Sequence, residues 1–90
     1  MPPKNTPVPL AGARAGVNVK VVNVAGGIAL QSRLMGLGLI PSARLEVIRN
    51  DRRGPMILAL RRTRIGIGRA MAEKVQVQIL STAPAGRGER

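Results

Sequence analysis

Residues 74–80, KVQVQIL, alternate large aliphatic residues with polar ones. Val75, Val77 and Ile79 fall on one side of an extended chain and the glutamines on the other, which is the pattern of a half-buried β-strand. Comparable β-type patterns recur in VNVKVVNV at 17–24, ARLEVIRN at 43–50, PMILALR at 55–61 and RIGIG at 64–68. Short, closely spaced strands of this kind predict an all-β fold, a small five-stranded barrel that closes its own edges.

The first of these strands contains a change of phase. Val17, Val19 and Val21 alternate with polar residues, and the apolar positions then move to Val22 and Val24. One extra residue in a β-bulge produces such a shift. We therefore expect a single strand with a bend at this point.

The one long connection runs from Gly26 to Pro41 and predicts a short α-helix. Leu30, Leu34 and Leu37 recur within it at i, i+4 and i+7. This spacing places the three leucines on one face of a helix. The helix should therefore lie in the connection after the first strand.

Two glycines stand in the densest aliphatic part of this connection, RLMGLGLIPS. With Leu37 as the C-cap, Gly38 takes the C′ position, where φ is positive. Leu39 at C″ can then pack on Leu34 in a Schellman arrangement. Gly36 lies in the last helical turn and has two interpretations, a tolerated glycine or a place where another backbone or a partner comes close.

The composition excludes several classes of function. Fifteen lysines and arginines face four acidic residues, and the net charge of +11 favours an anionic partner or surface. Cysteine and histidine are both absent, which removes disulfides and zinc-type sites. With only four carboxylates and neither histidine nor cysteine, the chain offers no plausible pair of nucleophile and base and no two closely spaced acids. We therefore expect no enzyme activity, no cofactor and no metal site.

The two ends of the chain differ in composition from its middle. Residues 1–9 hold four prolines and predict a disordered proline-rich arm, and residues 81–90 have the small, polar composition of a disordered tail. One folded domain is expected over residues 10–80. The longest apolar run is too short to span a bilayer, and residues 1–9 lack the apolar core of a secretory signal. A cytoplasmic protein without a membrane span is expected.

Taken in order, these segments resemble the FeoA family. The resemblance covers about residues 10–80 and rests on the first strand, the Gly26-Gly27 pair, the helix ending RLMGLGLIP, the strand LEVIRN, the Gly54-Pro55 turn, RIGIG, the AEK turn and the final KVQVQIL. It implies an SH3-like barrel with one short α-helix after the first strand. It also implies a cytosolic protein of ferrous iron transport, peripheral to the membrane through a FeoB-like permease that carries a GTP-binding domain.

The sequence departs from the family pattern at the turn after the helix. The family usually places glycine after the proline, whereas this chain has Ser42. Serine disfavours a type II turn, which needs a positive φ at that position, so a type I turn is expected.

Two partner surfaces are predicted. A short helix on a small barrel cannot bury all of its aliphatic residues, so the helix exit should leave some at a groove edge. The candidates there are Arg33, Leu34, Met35, Leu39 and Ile40. The candidates at two arginine-rich reversals are Arg52, Arg53, Arg61 and Arg62. The residues predicted to be structural are Gly26, Gly27, Gly38 and Pro41.

The alternative function is that of a small basic β-barrel that binds RNA or DNA backbone. Phenylalanine, tyrosine and tryptophan are all absent, so bases cannot stack on aromatic side chains. This absence disfavours nucleic acid as the partner. Self-association stays open, as does whether the chain activates, restrains or assembles the permease.

Overall fold

The computed structural model describes residues 6–51 and 53–82, which form one antiparallel sheet and two short helices. The strands are β1 (Val8–Pro9), β2 (Val17–Val24), β3 (Arg44–Arg49), β4 (Met56–Leu60), β5 (Thr63–Ile67) and β6 (Val75–Thr82). The helices are α1 (Ile28–Gly36), between β2 and β3, and α2 (Arg69–Ala72), between β5 and β6, and a 3₁₀ turn (Leu10–Gly12) follows β1. The predicted all-β class and the helix after the first long strand are confirmed.

The strands lie in the order β1-β6-β2-β3-β4-β5, and all neighbours are antiparallel. The five predicted strands correspond to β2 through β6. The predicted closure is incomplete, because β1 and β5 end the sheet and do not pair with each other in the described part of the chain. The barrel therefore keeps an open edge along β5.

The ends of the sheet correct the predicted boundaries of the arm and the tail. Val8 and Pro9, predicted to lie in the disordered arm, form β1 against β6. Ser81 and Thr82, predicted to lie in the tail, extend β6 along β2. A two-residue strand that contains proline has no alternating pattern, so nothing in the sequence predicts β1. The remaining positions of the arm and tail, 1–5 and 83–90, lie outside the described residues.

The predicted bulge in β2 is confirmed. Val21 pairs with Val77 and Asn23 pairs with Gln76, so Val22 is the extra residue. Its side chain is exposed, whereas that of Val21 is buried. The bulge thus keeps the apolar side of β2 facing the core on both sides of the bend.

The core is built from the alternating residues of the strands together with one side of α1. It consists of Leu10, Ala13, Val19, Val21, Leu34, Leu39, Leu45, Val47, Met56, Leu58, Ile67, Ala72, Val75 and Val77. The only α-helical residues in this set are Leu34 of α1 and Ala72 of α2. Most of the α1 surface therefore lies outside the core.

The end of α1 has the predicted Schellman geometry. Leu37 is the C-cap and Gly38 has φ +95°. The N–H of Leu39 donates to the carbonyl of Leu34 at 2.9 Å, and the N–H of Gly38 donates to that of Met35 at 2.9 Å. These two bonds satisfy carbonyls that the end of the helix would otherwise leave unpaired.

The turn after α1 differs from the predicted type I. Ser42 has φ +78°, and the N–H of Ala43 donates to the carbonyl of Ile40 at 2.9 Å, as in a type II turn with Pro41 at its second position. The cause is a pair of bonds to β2. The N–H of Ser42 donates to the carbonyl of Val21 at 2.7 Å, and the N–H of Val21 donates to the carbonyl of Ala43 at 2.8 Å. Docking on β2 therefore outweighs the preference of serine for negative φ.

Candidate functional site

The helix exit divides its aliphatic residues between the core and the surface. Leu34 and Leu39 are fully buried, whereas Met35, Leu37 and Ile40 remain 59%, 40% and 43% exposed. The prediction that Leu34 and Leu39 bind a partner is wrong, because both side chains fill the core. Met35 and Ile40 are at the surface, as predicted.

A groove of about 310 Å³ lies between the helix exit and the β4–β5 hairpin. We call it the exit groove, and its lining residues are Leu37, Gly38, Ile40, Leu60, Arg61, Thr63 and Ile65. Its side chains are aliphatic except for those of Arg61 and Thr63, and Gly38 has none. The exit groove is therefore suited to apolar side chains of a partner, with a positive charge at its edge.

Gly38 allows the helix exit to approach β4 closely. Gly38 has φ +95°, and a β-carbon on this residue would lie 2.5 Å from Cδ2 of Leu60, so the Leu60 side chain would have to move and the backbone would be strained. Gly36 by contrast has open space at the position of a β-carbon. The predicted structural role thus holds for Gly38, and nothing in the described structure requires glycine at position 36.

Of the two glycines before α1, only Gly26 is at a position that requires glycine. Gly26 has φ +109°, and a β-carbon there would lie 2.9 Å from Cδ2 of Leu30. Gly27 is the N-cap of α1, with an ordinary φ of −80° and open space around it. The Gln31 side chain donates to the carbonyls of Val24 and Gly26, both at 3.2 Å, and so ties the start of α1 to the end of β2.

A smaller cavity of about 100 Å³ lies on another side of the helix exit. Its lining residues are Asn23, Val24, Gln31, Met35, Leu39 and Pro41. Met35 is 59% exposed, and Pro41 is exposed as well. The apolar surface at the helix exit therefore extends past the exit groove to the C-terminal end of β2 at Asn23 and Val24.

The two arginine-rich reversals lie at opposite ends of the β3–β4 ladder. β3 leads into the reversal that holds Arg53, whereas β4 leads into Arg61 and Arg62. Of these residues, Arg61 lines the exit groove and Arg62 is exposed beside it. Arg33 is exposed on α1, and Arg52 lies outside the described residues. The structure thus joins one of the two predicted arginine surfaces to the helix exit.

The other reversal has a structural role that the sequence did not indicate. Nδ2 of Asn50 donates to the carbonyls of Ala11 and Ala13 at 3.0 and 2.6 Å. Nη2 of Arg69 donates to Oδ1 of Asn50 and to the carbonyl of Asp51. These bonds hold the 3₁₀ turn, the reversal and α2 together. An asparagine in a turn is too common a signal to predict such a contact from the sequence.

Ile28 is a further surface residue that the sequence did not indicate. It is 83% exposed at the first position of α1. It lies outside the Leu30, Leu34 and Leu37 series, so the helical spacing provides no information about its position. Together with Met35 it makes α1 unusually apolar on its outer side.

The described residues contain no group of three or more histidine, cysteine, aspartate or glutamate side chains that could hold a metal ion. No helix within the same residues has the length and apolar character needed to cross a membrane. Among the described side chains, the chemistry at the helix exit is that of an apolar contact surface with cations at its edge.

The FeoA domain model matches residues 8–79 of the sequence. This chain belongs to the FeoA family. The FeoA chain is 37% identical over 70 residues to a Methanocaldococcus jannaschii protein named "Putative Fe(2+) transport protein A", covering 78% of this chain and 84% of the relative. Its fold is therefore that of the SH3-like FeoA barrels.

Solved structures agree with this membership. A crystal structure of an iron uptake regulatory protein, FeoA, superposes with a TM-score of 0.80 at 33% identity, over 83% of this chain and 100% of that one. The FeoA protein of Chlorobium tepidum gives 0.74 at 30% identity, over 92% and 87%. A manganese-dependent transcriptional repressor gives 0.77 at 19% identity, over 87% of this chain but 44% of the repressor, which is a likeness of fold alone.

Proposed function

We propose that this FeoA chain is a cytosolic accessory protein of ferrous iron uptake that binds the cytosolic face of a FeoB-like permease through the helix exit. Family membership and the names of its relatives support the link to iron transport. The observation that carries the contact surface is the exposure of Met35, Leu37 and Ile40 around the exit groove. Exposed apolar groups clustered beside a groove are typical of a protein-binding surface.

Iron enters this proposal as the cargo of the partner. The chain has neither histidine nor cysteine, and ferrous iron prefers imidazole, thiolate or several carboxylates as ligands. The contribution of the chain is therefore contact with the permease, with the arginines at the groove edge raising the rate of encounter.

The test measures binding to the purified permease in lipid nanodiscs. Met35→Asp and Ile40→Asp each place a charge on the apolar surface and should weaken binding at least tenfold, since a charge buried in the contact loses its hydration. Ala70→Asp, exposed on α2 and absent from the lining of both cavities at the helix exit, is the matched control for the change of charge. Full binding by both helix-exit variants would refute the proposed surface.

Salt dependence distinguishes the alternative function. Arg61→Ala should lower the association rate and its salt sensitivity, while Arg53→Ala at the other end of the ladder should change neither. A nucleic-acid binder would instead lose affinity steeply with log[salt] in a mixed RNA pool and would tolerate Met35→Asp. If that second pattern is observed, the partner is RNA and not the permease.

A further inference from the structure

Strand β5 has one edge without a β-partner. In the described part of the chain it pairs with β4 alone, through a two-residue loop closed by Leu60 and Thr63. The closing pair of such a hairpin is hydrogen bonded, and bonded pairs then alternate along the ladder. The backbone N–H and C=O groups of Arg64 and Gly66 therefore point away from β4. Both residues are exposed.

Glycine at position 66 is consistent with the approach of another backbone. The φ of Gly66 lies outside the left-handed region, and a β-carbon would lie 3.4 Å from Cδ1 of Ile57, so neither conformation nor a severe clash requires glycine. A glycine inside a strand weakens the strand and often marks a place where a second chain comes close. Here that place is the open edge of the sheet.

The two faces of this edge have different chemistry. Ile65 is half-buried and lines the exit groove with Leu37 and Ile40, whereas Arg64 projects from the opposite face of the strand. A strand added beside β5 would share its pleat, at a spacing of about 4.8 Å. Alternate side chains of that strand would cover the exit groove, and the intervening ones would lie beside Arg64.

Charge discriminates between the candidate occupants of this edge. The β4–β5 hairpin carries Arg61, Arg62 and Arg64 and no carboxylate. A second copy paired edge to edge would bring these arginines against those of its partner, and like charges on neighbouring strands destabilise the pair. A segment with aspartate or glutamate on the same face would instead form ion pairs.

We propose that β5 accepts an extended segment of the partner protein as a seventh strand, and that this segment alternates aliphatic residues with aspartate or glutamate. Backbone hydrogen bonds to Arg64 and Gly66 hold the segment, and the exit groove selects its aliphatic side chains. The inference rests on the proposed function, to which it adds the mode of contact and the chemistry of the bound segment.

The test uses Gly66→Pro. Proline removes the outward N–H and places its ring on the open edge, while the bonds of β5 to β4 stay intact. Gly66→Ala is the matched control, because it adds a β-carbon and keeps the N–H. Binding to the permease should fall at least about tenfold with Gly66→Pro and change little with Gly66→Ala.

Hydrogen exchange gives a second readout. In the wild-type chain the amides of Arg64 and Gly66 should exchange fast when free and become protected in the complex, whereas that of Ile65, bonded to β4, should be protected in both. If Gly66→Pro does not fold, a chemically ligated chain with sarcosine at position 66 removes the same N–H with a smaller perturbation.

The outcomes separate the two proposals. If wild type fails to bind the permease, the proposed function fails and the seventh strand with it. If wild type binds and both Gly66 variants bind equally, without protection at Arg64, the seventh strand is wrong and the proposed function stands. Protection of these amides in the free chain that grows with concentration would show pairing between copies and would also overturn the inference.

Discussion

The backbone N–H of Leu39 donates to the carbonyl of Leu34 at 2.9 Å, and both side chains are fully buried. This bond reverses the chain at the end of α1 and turns Leu39 into the core. Leu37 and Ile40, which precede and follow the reversal, are left at the surface beside the hairpin. The exit groove is thus a direct consequence of how the helix ends.

Gly38→Ala should therefore disrupt the groove and the fold together. The added β-carbon meets Cδ2 of Leu60 and forces a non-glycine residue to φ +95°, at a cost of about 1 to 3 kcal/mol. Gly36→Ala, two residues earlier and in open space, should stabilise the helix by about 0.5 to 1 kcal/mol. Urea denaturation of both variants measures the difference. Equal midpoints would show that the positive φ at Gly38 is not required.

The helix exit was predictable because its geometry depends on residues close in sequence. The spacing of Leu30, Leu34 and Leu37 indicates the helical face, and Gly38 marks its end. The same reasoning locates the bulge at Val22, since a change of phase within one strand is a local signal.

Features that depend on distant contacts were not predictable in this way. The positive φ of Ser42 follows from bonds to Val21 on another strand. Asn50 becomes structural because the 3₁₀ turn comes to rest against it, 37 to 39 residues away in sequence. The candidate site was predicted only in part for the same reason. The sequence indicated Arg61 and the helix exit as separate surfaces, and only the tertiary fold brings them together.

Adjacent aspartate substitutions on α1 should have opposite consequences. Leu34→Asp places an unpaired carboxylate at a fully buried position and should abolish folding or cost at least about 3 kcal/mol. Met35→Asp, at a side chain that is 59% exposed in the last turn of α1, should cost no more than about 1 to 1.5 kcal/mol, from lower helix propensity and a negative charge at the helix C-terminus. Circular dichroism with urea titration compares them. Similar losses in both variants would contradict the assigned burial.

Asn50→Ala should destabilise the end of the barrel opposite the exit groove. It removes the donor to the carbonyls of Ala11 and Ala13 and the acceptor for Arg69, at a cost of about 1 to 3 kcal/mol. Asp51→Ala is the control, because it removes only an exposed ion pair with Arg49 and should cost less than about 1 kcal/mol. Thermal unfolding ranks the two variants. A larger loss for Asp51→Ala would reverse our assignment.

Replacement of Ser42 by glycine should stabilise the protein. Ser42 has φ +78°, a conformation that is unfavourable for any residue with a β-carbon and open to glycine. Its bond to Val21 uses the backbone N–H, which every substitution except proline keeps. Relief of strain in the folded state competes with the greater freedom of glycine in the unfolded chain, so the expected net gain in the free energy of unfolding is about 0.5 to 1 kcal/mol.

The control is Ser42→Ala, which keeps the β-carbon and with it the strain, and should give no gain. Urea midpoints of the three chains decide the matter: a gain in Ser42→Ala equal to that in Ser42→Gly would trace the effect to loss of the hydroxyl and not to the positive φ.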